Sequence, residues 1–235
     1  MAEQATVSRE QWLEARRAFM KKEKEFTKLR DELSIQRRQL PRVKIHKDYR
    51  FIGNKGELSL GDLFGNHSQL AVYHFMFGPD WEEGCPSCSF WADNYNGIEV
   101  HLAQRDIKLI AISRAPLEKL NAYKERMGWT FDWYSSLNND FNFDFKVSFT
   151  DAEKESGEPV YNFDTLPFQL NEAPGFSVFS KDEQGNNYHT YSTFASGLDS
   201  FNAAYHIMDM MPKGRDEGDL PHPMGWLRRH DQYED

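Results

Sequence analysis

In the first part of the chain the apolar residues Trp12, Phe19, Phe26, Leu33 and Leu40 recur every seven positions among Lys, Arg and Glu. That spacing keeps them on one face of an α-helix. Ser8-Arg9-Glu10-Gln11 has the form of a capping box at its start, and Pro41 stops it. The intervening positions Ala15, Lys22, Leu29 and Gln36 are too polar for a strong coiled-coil seam. The stripe is therefore expected to lie against its own domain or a partner subunit, and a homodimer through this helix stays open.

The rhythm then changes. Phe51 to Leu63, with Gly53, Gly56 and Gly61, reads as turns and short edge strands, and Leu70 to Phe77 is the largely apolar run of a central strand. His74 lies inside it, where a lone histidine is more often a hydrogen-bonded residue than a ligand. Phe90 to Gln104 reads as a helix, Ile107 to Ser113 as a second buried strand, and Pro116 to Met127 as a helix closed by Gly128. Together they make a right-handed βαβ unit.

Trp129 to Ser135 alternates like a strand, with Trp129, Phe131 and Trp133 on one face. Phe141, Phe143 and Phe145, followed by an acidic loop from Asp151 to Pro159, mark an insertion at about 136–170 near the expected active edge. Gly175 to Phe179 and Tyr188 to Thr193 form a hairpin around the polar turn Asp182 to Asn187. Asp199 is placed to cap a last helix running to Met211, with Phe201, Tyr205 and Met208 on one side. The expected organisation is an N-terminal helical extension at 1–50, an α/β domain at 51–211, and a tail at 212–235 tied down by Trp226 and Leu227.

Composition narrows the class. The chain has 235 residues, is 14% aromatic and carries 18 Phe, enough for a substantial core in one domain with extensions. Net charge is -9, unevenly spread: residues 1–50 hold 14 basic and 8 acidic side chains, a balance of +6, leaving -15 for the rest. An acidic body repels nucleic acid, and an arm this rich in Glu reads as a solvated helix face rather than a phosphate clamp. No apolar run approaches the roughly 20 residues that span a bilayer, and the first residues lead into charge rather than a signal segment. The expectation is a cytoplasmic protein without membrane or nucleic-acid partners. No G-x-G-x-x-G, Walker A, H-E-x-x-H or G-x-S-x-G occurs, so nucleotide, metalloprotease and hydrolase readings lack support.

The candidate chemistry is concentrated in Cys85-Pro86-Ser87-Cys88, which holds both cysteines of the chain. It follows the first central strand and precedes a helix. A helix starting at Cys85 would set backbone N–H groups without intrahelical partners against the first sulfur, and Pro86 suits an early helical position. Lowering a thiol pKa from about 8.5 to about 7 takes only about 2 kcal/mol of anion stabilisation. Cys88, one turn on, can attack a mixed disulfide formed at Cys85. A structural staple across so short a loop would contribute only about 2 kcal/mol. A zinc site would use His101 at the C-x2-C-x12-H spacing, but Arg105, Asp106 and Ile107 stand where a second histidine is needed. Inert thiols are the remaining bland reading. Trp81 on the cysteine loop and Arg114 just past the second strand belong to the same edge; Arg114 could hold a thiolate or a substrate carboxylate, although a solvated arginine is the commoner outcome.

The order strand, Cys-Pro-Ser-Cys, helix, strand, helix, proline, hairpin and helix resembles the thioredoxin fold, with an insertion and extensions like those of peroxiredoxin relatives. More closely, Gly84-Cys85-Pro86-Ser87-Cys88-Ser89-Phe90-Trp91-Ala92-Asp93, Ile112-Ser113-Arg114-Ala115-Pro116 and Trp226-Leu227-Arg228-Arg229-His230-Asp231 resemble a thioredoxin-like family of unassigned function, described as predicted dithiol-disulfide oxidoreductases. The resemblance spans nearly the whole chain and names no substrate. It implies a mixed sheet flanked by helices, a cis Ala173-Pro174 bond facing the first cysteine, and adjacent backbone that holds substrate as an added strand. The motif departs from thioredoxin, in that Trp81 stands four residues before Cys85 and the intervening pair is Pro-Ser.

The expected activity is thiol–disulfide exchange on a protein or small-molecule disulfide or thiol, with Cys85 attacking, Cys88 resolving, no cofactor or metal, and an unidentified reductant. Trp81, Pro86, Arg114, Ala173 and Pro174 are the expected substrate contacts. Two alternatives stand beside it. Peroxiredoxins carry Thr/Ser-x-x-Cys, which would make Cys88 a peroxide-reactive nucleophile and Cys85 its resolving partner. A redox-inactive interaction module on the same fold is the other.

Overall fold

The computed structural model describes residues 4–157, 159–165 and 170–234. Met1-Ala2-Glu3 and Asp235, and Glu158 and residues 166–169 of the expected insertion, lie outside the described residues. The chain divides into two compact units, Met1–Pro41 and Arg42–Asp235.

The first unit is one helix, α1 (Arg9–Arg38), entered through the capping box read in the sequence: Gln11 N–H donates to Ser8 Oγ at 3.2 Å and Ser8 N–H to Gln11 Oε1 at 3.0 Å. The second unit starts before residue 51, because β1 (Val43–Lys44) is already a sheet strand, paired with Tyr188 and His189.

From there the elements are β2 (Arg50–Gly53), β3 (Gly56–Ser59), α2 (Leu60–Leu63), β4 (Gln69–His74), α3 (Pro86–Ala92), α4 (Glu99–Ala103), β5 (Ile107–Ser113), α5 (Leu117–Arg126), β6 (Asp132–Ser135), α6 (Phe141–Asp144), α7 (Asp151–Glu155), β7 (Val160–Tyr161), β8 (Asp164–Thr165), β9 (Gly175–Lys181), β10 (Asn187–Phe194) and α8 (Ala203–Met208), with 3-10 turns at Ala195–Phe201 and His230–Gln232. Eight strands form a mixed sheet in the order β1-β10-β9-β4-β5-β6-β2-β3. β4, β5 and β6 run parallel, and the other neighbours pair antiparallel. Parallel β4 and β5 joined through helices, with the antiparallel β9–β10 hairpin on the far side of β4, is the thioredoxin-like α/β architecture expected from the sequence.

β4 shows why its sequence is so largely apolar. Ala71, Tyr73 and Phe75 bury themselves with Trp91, Trp133 and Tyr205 on one face of the sheet, while Leu70 and Val72 join Ile110, Ile112 and Phe179 on the other. Two details of the sequence reading are corrected. The single helix expected at 90–104 is two: α3 begins earlier, at Pro86, and the chain breaks at Asn94–Gly97. There Asn94 Nδ2 donates back to Phe90 O at 2.7 Å and Gly97 takes φ +87°, a conformation glycine reaches without strain. The last helix is capped by Asn202, whose Oδ1 accepts Tyr205 N–H at 3.1 Å; Asp199 is drawn off to Arg215 at 2.9 Å.

His74 sits on the second face with 1% exposure. Its Nε2 is 2.8 Å from Ser177 Oγ, which is 2.8 Å from Ser192 Oγ, itself 2.7 Å from His189 Nε2. Its ring stacks on Phe145 at 6.0 Å between centroids. Burial disfavours the imidazolium first, and His189 second, and together they push the His74 pKa down to about 3. The unfolded chain takes up a proton at its ordinary value of 6.5 and the folded chain does not, so stability is present above that value and lost as pH falls below it. Urea unfolding of the protein and of His74→Asn at pH 7, 6 and 5 should show the native advantage shrinking by about 1.4 kcal/mol per pH unit below 6.5. A pH-independent difference would contradict a neutral buried imidazole.

Candidate active site

The two cysteines lie where β4 gives way to α3. After β4, Phe75 N–H still donates to Ile112 O at 3.1 Å, so the chain runs on beside β5 before Gly78-Pro79-Asp80 turns it. It then returns: Cys85 N–H donates to Met76 O at 3.1 Å. Gly84 fits this return because a Cβ there would stand 2.7 Å from the Phe75 ring and 2.8 Å from the Tyr123 ring. Cys85 is the N-cap of α3, Pro86 its first residue, and Cys88 N–H points at Cys85 Sγ at 3.5 Å. The thiol therefore stands where a serine or aspartate caps other helices.

Both thiols are free, and their surroundings differ. Cys85 is partly exposed. The Cys88 thiol donates to its sulfur, the N–H groups of Cys88 and Ser87 point at it, and the Arg229 guanidinium adds positive charge; against the opposing effect of burial these bring its pKa down from 9.0 to about 7. Cys88 is 2% exposed, with Met76 N–H 3.5 Å from its sulfur. Burial, followed by the hydrogen bond and charge of Cys85, raises its pKa well above the ordinary thiol value. Only Cys85 carries thiolate at neutral pH.

The sequence reading attached no role to Arg229. Its Nε and Nη2 donate to Gly84 O at 3.2 and 2.7 Å, its Nε donates to Tyr123 OH at 2.8 Å, and its Nη1 pairs with Glu83 at 2.8 Å. Arg126 ties the same Glu83 to Asp231 of the tail, and Tyr123 OH lies 2.9 Å from the buried hydroxyl of Ser89, which donates to Cys85 O at 2.9 Å. The C-terminal segment thus grips the peptide just before Cys85. A residue 145 positions from its partner leaves no spacing signal in a single sequence.

The other expected site residues separate into two groups. Pro174 joins Cys88 and Ser87 in the wall of a cavity of about 360 Å³. Trp81 and Arg114 line a different, polar cavity of about 400 Å³ that touches neither cysteine. Arg114 is not solvated: its Nη1 pairs with the 1% exposed Glu172 at 3.1 Å, its guanidinium lies 4.4 Å over the Phe143 ring, and Ser148 Oγ donates to Glu172 Oε2 at 2.6 Å. Burial lifts Glu172 to about 7, with Ser148 and Arg114 opposing.

The implied cis bond is corrected: Ala173-Pro174 is trans. Nor is the adjacent backbone a vacant edge, since Ala173 N–H donates to Val147 O at 2.9 Å and Pro174 O accepts Tyr161 OH at 2.7 Å. The segment carrying Val147 and Tyr161 bonds to the backbone on both sides of the Ala173-Pro174 bond, on the edge that an added strand would need. No cluster of three or more His, Cys, Asp or Glu side chains suited to a metal occurs among the described residues. No helix among them is long and apolar enough to cross a membrane.

A family model described as "Bacterial protein of unknown function (DUF899)" matches residues 1–233. Among solved structures the chain is similar to a peroxiredoxin Q from Xanthomonas campestris (15% identity, 67% of this chain and 90% of that one, TM-score 0.45) and to the peroxidoxin BcpB from Mycobacterium tuberculosis (11% identity, 72% and 97%, TM-score 0.48). It is also similar to the mitochondrial 2-cys peroxiredoxin from Plasmodium falciparum (13% identity, 70% and 92%, TM-score 0.40). A search of curated proteins finds no match.

Two outcomes follow from these environments. Iodoacetamide alkylation of Cys85 across pH should have its midpoint near 7; Cys88→Ala removes the thiol hydrogen bond to Cys85 and moves the midpoint up, Cys88→Ser keeps a donor and moves it less, and Arg229→Leu also moves it up. An unmoved midpoint in Cys88→Ala would show that the second thiol does not support the first. Glu172 behaves oppositely to His74: its folded pKa is raised above 4.5, so its contribution is full below 4.5 and lost as pH rises toward 7. In unfolding titrations the stability of the native protein relative to Glu172→Gln should fall by about 1.4 kcal/mol per pH unit across that window.

Proposed function

The chain belongs to DUF899, a family of bacterial proteins of unknown function, and we propose that it is a thiol–disulfide oxidoreductase in which Cys85 attacks and Cys88 resolves. One observation carries this reading: two free thiols share a helical turn, the outer one supported as a thiolate near neutral pH and the inner one buried and protonated. A staple needs neither asymmetry nor access, and a buried inert thiol would not be given three donors.

The reaction follows from the geometry. The Cys85 thiolate attacks one sulfur of a substrate disulfide, the substrate S–S bond breaks, and the departing thiolate takes a proton from water. The Cys85 mixed disulfide no longer carries charge, so Cys88 loses the negative neighbour that raised its pKa. Its sulfur then attacks Cys85 Sγ, and its proton leaves with the second thiol. The dithiol gives up two electrons and the substrate gains them. In the reverse direction the oxidised pair accepts electrons from a dithiol.

Peroxide attack at Cys88 would need a thiolate where burial and Cys85 both hold the proton on sulfur. That orders the two readings. In a coupled assay with bis(2-hydroxyethyl) disulfide, Cys85→Ser should lose at least a hundredfold in rate, and Cys88→Ser should accumulate a mixed disulfide at Cys85 visible by mass spectrometry. Hydrogen peroxide consumption that survives Cys85→Ser and vanishes in Cys88→Ser would reverse the assignment.

A further inference from the structure

Three observations bear on what the dithiol acts upon. First, the polypeptide edge beside Pro174 is already used: Ala173 N–H and Pro174 O are bonded to Val147 and Tyr161 of the same chain. A peptide substrate laid down as an added strand finds neither group unpaired.

Second, the cavity beside the redox pair, walled by Cys88, is mostly apolar. Cys88, Ser87 and Pro174 form one part of its wall, and Met76, Trp91, Leu198 and Met224 form much of the rest. Its volume of about 360 Å³ suits a small organic molecule rather than a folded protein surface.

Third, the charged side chains in that wall are committed to protein partners. Arg215 binds Asp199 and Asp209 at 2.9 Å each and lies 3.9 Å over the Tyr205 ring. Glu217 Oε1 accepts Tyr205 OH at 3.1 Å, Met224 N–H at 3.0 Å and Trp226 Nε1–H at 2.7 Å. An anionic ligand would lose its hydration there without a free cation, because Arg215 is already paired with two carboxylates and Glu217 is bonded only to neutral donors. An uncharged one loses only water from apolar surface.

We infer that the substrate is a small organic disulfide without negative charge, whose apolar arm lies in the cavity between α3, the 3-10 turn after β10 and the C-terminal tail. This rests on the oxidoreductase reading. The reaction balances as above: the disulfide is reduced to two thiols while Cys85 and Cys88 form one S–S bond. Met224 and Trp226 belong to the same tail that carries Arg229, so one segment both walls the substrate and steadies the peptide before the nucleophile.

The test is a stopped-flow comparison with pre-reduced, desalted protein, following loss of thiol with dipropyl disulfide, with 3,3′-dithiodipropionate and with glutathione disulfide. Each rate is divided by that of dithiothreitol with the same disulfide. Dipropyl disulfide should exceed the two charged compounds at least tenfold. Ser196→Trp, on the exposed lip of the cavity, should cut the dipropyl rate about tenfold with the circular dichroism spectrum retained. Met224→Lys should narrow the preference by favouring the dicarboxylate. Equal normalised rates for charged and neutral disulfides, or an unchanged dipropyl rate in Ser196→Trp, overturn the substrate assignment and leave the oxidoreductase reading standing. Failure of every disulfide to oxidise the pair overturns that reading, and this one with it.

Discussion

Everything at the candidate site depends on how the peptide between Gly84 and Cys85 is held. Its N–H is taken by Met76 O, its carbonyl by Arg229, and the next carbonyl by Ser89 Oγ and Ser89 N–H. Fixed in this way, the backbone keeps Cys85 at the capping position, with its sulfur facing the N–H groups of Ser87 and Cys88. Anion stabilisation by backbone dipoles requires such prior ordering, because donors that must reorganise lose in entropy what they gain in contact. The shift from 9.0 to about 7 corresponds to between 2 and 3 kcal/mol, comparable to two or three modest hydrogen bonds acting together. No single strong partner is needed.

The elements that fix this peptide differ in how far the sequence discloses them. Strand β4 and the cysteine motif are local: an apolar run, a turn and Cys-Pro-Ser-Cys at a helix start are legible because each depends on neighbours a few residues away. The division of the expected long helix into α3 and α4 was half visible, since Asn94, Asn96 and Gly97 announced irregularity, but periodicity alone could not show that α3 begins at Pro86. Asp199 and Asn202 are both good caps by type; the choice went to Asn202 because Arg215, far along the chain, claims the Asp199 carboxylate. Arg229 and Glu172 act through partners 145 and 58 positions away, and no pattern of polarity encodes such a pairing. The cis proline was inherited from resemblance, and the chain's own insertion supplies the contradiction, by pairing Val147 with Ala173 and Tyr161 with Pro174.

That insertion links two features that would otherwise look unrelated. It brings Ser148 and Phe143 around the Arg114–Glu172 pair, and it closes the backbone edge next to Pro174. Glu172 is too buried to hold a full charge at little cost, and Arg114 and Ser148 are what make its ionised form tolerable at all. A buried pair of this kind contributes little net stability, but it fixes position. Here it ties the end of β5 to the residue just ahead of Ala173 and Pro174, so the wall facing Cys88 is set from the polar side as well as from the apolar one.

The tail completes the wall from the other direction. Glu217 gathers three donors, one of them the Trp226 indole, and places Met224 on the cavity while Leu227 is buried at 4% exposure. Two residues beyond Leu227, Arg229 reaches Gly84. Loosening the tail would therefore do two things at once: open the apolar cavity to water, and withdraw from Cys85 both a positive charge and the brace on its preceding carbonyl. Wetting the cavity weakens any preference for uncharged ligands, and freeing the loop weakens the thiolate. Under the proposed function, selectivity and nucleophilicity are therefore coupled through one segment, which walls the cavity beside Cys88 and braces the peptide before Cys85.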